Sequence, residues 1–270
     1  MSPPGRMLFI PYTLSTLALV VVLALAGLPL LFLAIAAPLV YMGSLVVGVM
    51  VPQLGLFAPS LSRAISGRAE IALTFDDGPD ASTTPSILSI LAAAGAPATF
   101  FVLGAKVQEA PEVLRAIAAA GHEIGIHGHT HDRFLSLRKP SSIVDRVARA
   151  QSTVEAVTGH RPTLFRPPLG HVSPRTAKAA RAARLTLVAW SVRSRDGRAS
   201  TSSQEVARRV LTRLRPGDIV LMHDAAEHGL HAPASIAALP GILEEIGRRG
   251  LRCVTVSRLM EKATAPSSRP

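Results

Sequence analysis

The pattern of hydrophobic and polar positions divides the chain in two. Between Met7 and Ser62 there is no Asp, Glu, Lys or Arg. A soluble domain needs charge on its outer face, so this run does not fit an ordinary protein surface. A bilayer span takes ~20 apolar residues, and the run has room for two. The apolar region of a cleavable signal peptide is only ~7–15 residues long. The pattern therefore predicts a membrane anchor over 1–57, with helices at about 14–33 and 39–57 and a turn between Pro29 and Pro38. One long tilted span followed by an apolar interfacial segment is the alternative.

Beyond a short linker at 58–68, with Pro59, Ser60, Ser62, Ser66 and Gly67, the pattern changes. Short apolar runs at 70–75, 98–103, 122–127, 163–166, 186–191, 218–223 and 252–256 read as strands. Ala-rich helical stretches separate them, at 84–94, 111–120, 141–157, 174–183, 203–214 and 234–249. Pro111 and Pro174 sit where a first helical turn tolerates proline. Gly95, Gly121, Gly159 and Gly250 sit where helices stop. Seven strands alternating with helices predict an α/β domain with parallel strands over 69–262. Continuous apolar runs such as 185–190 fit a sheet covered on both faces. A doubly wound sheet and a barrel satisfy this pattern equally. The Ser- and Pro-rich tail at 263–270 reads as disordered.

Charge adds a constraint. The chain carries a net +11, and all 18 acidic residues and all but one of the 29 basic residues lie C-terminal to the apolar run. Basic surfaces attract nucleic acid, anionic lipid or anionic glycan. No helix-turn-helix, zinc-finger or RNA-binding signature is present, and one Trp and two Tyr leave little for base stacking. Nucleic acid is thereby set aside. Beside a membrane, anionic lipid or a phosphate-linked substrate is the simpler partner, and no feature calls for an obligate protein partner. Cys253, the only cysteine, lies in an apolar run and reads as an inert buried thiol.

Polar residues recur at the C-terminal ends of the strands: Asp76 and Asp77 after the first, His127 to His131 after the third, Arg166 after the fourth, Ser191 to Asp196 after the fifth, and His223 at the sixth. In an α/β barrel these ends converge on one mouth, where the chemistry is done. Adjacent carboxylates such as Asp76 and Asp77 repel unless a cation is near, although Asp-Asp-Gly-Pro is also a turn former. His127 and His131 can aim two imidazoles at one ion. Two histidines and a carboxylate, with a fourth position open, make a catalytic zinc set. His223 is placed to act as a general acid, and Arg166 to keep a neighbouring carboxylate ionised. His171 follows Gly170 at the mouth, where substrate contact or simple solvation are both open. His122, His160, His228 and His231 fall outside the motifs and carry no role.

These residues together resemble the polysaccharide deacetylase family, the NodB-homology or carbohydrate esterase family 4 domain. The run Thr74-Phe75-Asp76-Asp77-Gly78-Pro79 matches its first motif. His127-Gly128-His129-Thr130-His131 matches the second, Arg166-Pro167-Pro168-Leu169-Gly170 the third, and Leu221-Met222-His223 the fifth. The resemblance covers about 69–256. It implies a distorted (β/α) barrel of about seven parallel strands. It also implies a hydrolase that removes an N-linked acetyl group from an amino sugar in a polysaccharide or lipid-linked glycan. One divalent ion is implied, Zn2+ or another divalent transition metal, held by Asp77, His127 and His131. Asp76 would be the general base, tuned by Arg166, and His223, paired with Asp196, the general acid. The Leu169 backbone N–H would face the oxyanion, and Pro168, His171 and Leu221 would line the substrate.

Three departures stand out. Gly128 replaces a Ser or Thr that often braces the metal loop. Leu169 replaces an aromatic residue. The fourth motif keeps only Asp196 and lacks its Trp, which leaves one groove wall open. Removal of formyl, opening of a cyclic amide, and a catalytically inactive glycan-binding role are the alternatives on the same fold. The side of the membrane also stays open. Arg6, Arg63 and Arg68 flank the two outer ends of the apolar run and place the domain inside by the positive-inside rule. A single span, or action on envelope glycans, places it outside.

Overall fold

In the computed structural model, residues 8–64, 67–198, 200–226 and 232–261 are described; His228, His231 and the tail expected at 263–270 lie outside them. The charge-free run forms two helices, α1 (Phe9–Leu25) and α2 (Leu30–Met50). They pack as an antiparallel pair, with Tyr12 hydrogen-bonded to Ser44 and Thr13 Oγ1 2.8 Å from the Tyr41 hydroxyl. The turn falls at Gly27 and Leu28, before Pro29 rather than after it. Gly27 adopts φ +86°, a left-handed geometry that costs glycine little. Pro29 then opens α2, and Pro38 lies inside that helix. An internal proline removes one helical hydrogen bond, which apolar surroundings tolerate when the rest of the ladder is intact. Both helices therefore lie N-terminal to the expected spans. Among the described residues, α2 alone is long and apolar enough to cross a membrane, with a mean hydropathy of 2.3. The 17 residues of α1 reach about 25 Å at ~1.5 Å each, short of the ~30 Å hydrocarbon core.

The rest is a curled parallel sheet wrapped by helices. Its strands are β1 (Glu70–Asp76), β2 (Thr99–Leu103), β3 (Glu123–Gly128), β4 (Leu164–Phe165), β5 (Thr186–Leu187), β6 (Val192–Arg193), β7 (Ile219–His223) and β8 (Arg252–Cys253). They order as β5-β4-β3-β2-β1-β7-β6, all parallel, with β8 beside the start of β1. The helices are α3 (Thr84–Ala93), α4 (Gly104–Glu109), α5 (Pro111–Ala119), α6 (Pro140–Thr158), α7 (Pro174–Ala182), α8 (Ser203–Leu211), α9 (Ser235–Arg248) and α10 (Val256–Met260).

Two expected strands change. The run at 186–191 is split: β5 pairs with β4, β6 pairs with β7, and the residues between them cross the open seam. The seam is filled from the linker. Leu61 bridges to Val188 and Arg63 to Asp218. The run at 252–256 ends at Cys253, and α10 follows and closes the bottom. Burial pushes the Cys253 thiol up to about 12, so it stays protonated.

Alternation along each strand separates two cores. On β1, Ile71, Leu73 and Phe75 face the helices, while Ala72 packs inside the barrel with Phe101, Leu164, Val188, Ile219, Val256 and Leu259. At this closed end the buried charges are paired. Glu70 meets Arg68 at 2.7 Å and Arg252 at 3.2 Å. Asp218 meets Arg63 at 2.6 Å and accepts from Ser191 Oγ and the Arg215 N–H.

Candidate active site

The same alternation supplies the open end. A strand residue two or four places beyond an inward one also points inward. Counting from Ala72 leads through Thr74 to Asp76. Gly125, whose absent side chain leaves room for Phe101, leads to His127. Leu164 leads to Arg166, Val188 to Trp190, and Ile219 through Leu221 to His223. The apolar interior thus ends, strand by strand, in a ring of polar and aromatic side chains.

Asp77, His127 and His131 each bring a ligand atom within 4.8 Å of the other two. His127 Nε2 and His131 Nε2 stand 3.5 and 3.6 Å from Asp77 Oδ1. Ligand atoms around a tetrahedral ion with bonds of ~2.0–2.1 Å are separated by roughly 3.4 Å, so the spacing fits one divalent cation. Burial pushes the His127 pKa down to about 3, with the nearby Asp76 charge only partly offsetting it. A neutral imidazole keeps the lone pair that a metal needs. His127 is the last residue but one of β3, whereas His131 sits in the following loop, so no helical turn is involved. Asp77 has φ +78° and Gly128 φ +130°. A side chain at Gly128 would be strained at that φ, a geometry open to the glycine that stands there. His129 turns away, with its carbonyl accepting the Ala105 N–H at the start of α4.

Asp76 and Arg166 form the second unit. Arg166 is fully buried, and its Nη1 donates to Asp76 Oδ1 at 2.7 Å and to Thr74 Oγ1 at 2.8 Å. Its Nη2 donates to the Ala189 carbonyl, and the guanidinium lies 4.2 Å from the Phe101 ring centroid. The second oxygen of Asp76 lies 3.9 Å from His127. Arg166 holds one oxygen and turns the other toward the three-ligand cluster.

His223 and Asp196 form the third. His223 Nδ1 is 2.8 Å from Asp196 Oδ1, and its backbone N–H donates to Oδ2 at 2.8 Å. Ser194 Oγ donates to the same carboxylate. Burial alone would lower the His223 pKa, but the Asp196 charge and hydrogen bond outweigh it and, with Asp77 and Asp76, raise it to about 9. Asp196 is held below the usual carboxylate range; burial opposes this, and His223 and Ser194 overcome it.

The pocket between these units has a volume of about 50 Å³, and Leu169, Gly170, Trp190, Arg193 and Leu221 complete its wall. A single water needs only ~10–15 Å³ on this measure, so the pocket is small but has room for a group of a few atoms. Leu169 stands at the wall with φ +59°. Leu221 faces the pocket; Pro168 and His171 do not line it. Pro168 is buried under Gly128, and His171 lies beyond Gly170, where its carbonyl accepts from Ser136. Trp190 supplies a wall that the degenerate fourth motif seemed to leave open, packing so close to Gly170 that a Cβ there would lie 2.4 Å from the ring. The signal was available: Trp190 is the only tryptophan and ends an apolar run.

Comparison with known proteins gives a consistent picture. The sequence profile described as polysaccharide deacetylase matches residues 64–188. A peptidoglycan-N-acetylglucosamine deacetylase of Bacillus cereus is 36% identical over 192 residues, covering 70% of this chain and 87% of the relative. The crystal structure of a peptidoglycan N-acetylglucosamine deacetylase in complex with a naphthalenyl N-oxidanyl-benzamide superposes with a TM-score of 0.70 at 30% identity. That match covers 75% of this chain and 92% of the other. A family 4 acetyl xylan esterase from Clostridium thermocellum, solved with a cobalt ion, gives a TM-score of 0.64 at 29% identity, over 70% and 89% of the two chains.

Proposed function

Because the chain belongs to the polysaccharide deacetylase family, and so is a hydrolase of N-acetyl amide bonds, we propose that it deacetylates an amino sugar with the help of one divalent metal ion, while tethered to a membrane by α1 and α2. The observation that carries this reading is the convergence of Asp77, His127 and His131 on one point beside the Arg166-held Asp76 and the Asp196-paired His223. Asp77, His127 and His131 would hold the ion, for which Zn2+ suits two imidazoles and a carboxylate with one position open. Such an ion supplies Lewis acidity for the acyl carbonyl and for the attacking water.

The chain's own groups do the rest. Asp76, held in place by Arg166, accepts the proton of the water as it attacks the acyl carbon. The Leu169 N–H donates toward the oxyanion, a preorganised donor that needs no rearrangement. His223, with Nδ1 committed to Asp196, donates from Nε2 to the departing amine nitrogen. The amide C–N bond breaks, leaving acetate and a free amine. Trp190 and Leu221 hold the acyl end in the small pocket and exclude bulk water.

The relatives named for N-acetylglucosamine support a glycan substrate, and the apolar hairpin supports an integral anchor. The test uses full-length protein in detergent and an N-acetylated oligosaccharide. Acetate release should stop on chelation and return on adding Zn2+ or Co2+. His127→Ala should lose both stoichiometric metal and turnover. Full turnover by a metal-free His127→Ala protein sinks the scheme, and release of formate but not acetate from matched substrates replaces the acyl group.

A further inference from the structure

Beside the catalytic pocket lies a much larger cleft of about 990 Å³. Six arginines line it, Arg63, Arg193, Arg195, Arg208, Arg209 and Arg213, and among the described residues no carboxylate does. Three have acidic partners behind them: Arg63 on Asp218 at 2.6 Å, and Arg208 and Arg209 on Glu205 at 3.6 and 2.6 Å. Arg193, Arg195 and Arg213 have no carboxylate within ion-pair distance among the described residues. Arg193 lies over the Trp190 ring at 5.7 Å. Burial, and then the like charges of Arg195 and Arg198, lower its pKa, and Asp196 and Asp76 offset part of this.

Position gives this cluster a meaning. Trp190 and Arg193 line both the cleft and the catalytic pocket, so the two share one wall. The opposite rim is Val51 and Gln53, directly after α2. Gln53 Nε2 donates to the Trp190 carbonyl at 2.9 Å, and the Val172 N–H donates to the Val49 carbonyl at 3.0 Å. The end of the apolar hairpin is thus fastened to the mouth itself. With the hairpin in a bilayer, the arginines stand at the depth of lipid phosphates, where such side chains bind phosphate by charge-assisted hydrogen bonds.

We propose that this cleft is the subsite for a phosphate that joins the substrate amino sugar to a membrane lipid. The inference rests on the deacetylase reading above and names its substrate class: a sugar carried on a lipid phosphate rather than a finished polymer.

The test uses the full chain in neutral phosphatidylcholine nanodiscs and two matched probes, a short-chain prenyl-phosphate-linked N-acetylglucosamine and the prenyl glycoside without the phosphate. The wild-type KM should be at least about tenfold lower for the phosphate probe. Arg195→Gln with Arg213→Gln should erase that advantage and leave kcat and KM for the phosphate-free probe unchanged. Equal KM values in the wild type overturn the proposal, as does a double variant that impairs both probes alike. Nanodiscs containing phosphatidylglycerol separate the other phosphate source. An arginine-dependent gain from the anionic bilayer, with none from the probe's own phosphate, assigns the cleft to lipid headgroups and also overturns it. Binding of both probes to metal-stripped protein separates the two readings. Arginine-dependent preference for the phosphate probe without any acetate release leaves the cleft standing and sinks the reaction. Equal binding with normal acetate release does the reverse.

Discussion

Glu70 and Asp218 at the closed end of the barrel are as deeply buried as Asp76 and Asp77 at the open end. Their surroundings differ. Glu70 has Arg68 and Arg252, and Asp218 has Arg63, Ser191 and the Arg215 N–H, all supplied by the chain. At the open end a single arginine, Arg166, serves Asp76, and Asp77 faces two imidazoles, one of which, His127, is held neutral by burial. A buried carboxylate needs compensating positive charge. At one end arginines of the chain provide it, which favours stability; at the other Asp77 lies between two imidazoles, the arrangement that the proposed ion would complete.

That contrast is broken most sharply by matched substitutions at the two ends. Asp77→Asn should remove metal and lower kcat by on the order of 10³-fold, several kcal/mol of transition-state stabilisation. Its melting temperature without metal should change little, because asparagine keeps the shape of aspartate in the same packing. Asp218→Ala should do the opposite: turnover per folded molecule is kept, while stability falls by about 3 kcal/mol, less than a fully buried pair would cost because Arg63 is 42% exposed. Calorimetry and acetate release on both variants check the pair. A destabilised Asp77→Asn with normal metal content would erase the distinction.

A smaller effect sharpens the electrostatics within the open end. Asp196→Asn removes the main partner that lifts His223 to about 9, and burial then pulls the imidazole down, opposed only by Asp77 and Asp76. A general acid works only while protonated, so activity is lost as pH rises through its pKa. The alkaline limb of kcat/KM should therefore move down by more than about one pH unit, with a roughly 10- to 100-fold loss at pH 8. An alkaline limb that does not move assigns the proton to another group.

Much of this site was legible because its parts lie at strand ends. Asp76, His127, Arg166 and His223 each continue an inward-facing row that begins in apolar residues, and period-two alternation needs no tertiary information. The seam was not legible. Residues 186–191 look continuous by hydrophobicity, yet they belong to two strands because the sheet does not close, and closure depends on all the strands together. Pro38 misled for a related reason: in water it would end a helix, but in an apolar setting the intact ladder around it prevails. Trp190 takes its place from its row: two residues beyond the inward Val188, it reaches the wall although the fourth motif lacks its own Trp. The arginine cleft had no local signature, since Arg63, Arg193 and Arg213 meet only through the fold.

The smallest expected effect concerns Asp224, immediately beyond His223. Its N–H donates to the Asp76 carbonyl at 3.1 Å, and its Oδ2 accepts from Thr84 Oγ1 at 2.7 Å beneath the Asp76–Gly78 turn. A Cβ on Gly78 would lie 2.0 Å from that oxygen, so the turn and the carboxyl fit only with glycine. Oδ1 has no hydrogen-bond partner among the described residues. Burial raises this carboxyl to about 6, against ~3.9 in the unfolded chain. Between those values the folded state binds the extra proton, so stability falls as pH rises through that window and the full penalty applies above it. Asp224→Asn keeps an acceptor for Thr84 and removes the titration. At pH 7.5 it should be more stable than wild type by about 1–2 kcal/mol, roughly 2–8 °C in Tm. The gap should close as pH approaches 4, where wild-type Asp224 is protonated in both states. Melting curves across pH 4–8 read this directly. A variant less stable than wild type at pH 7.5 would mean that the ionised carboxylate holds the catalytic turn, through Lys106 or through the Gly78 N–H.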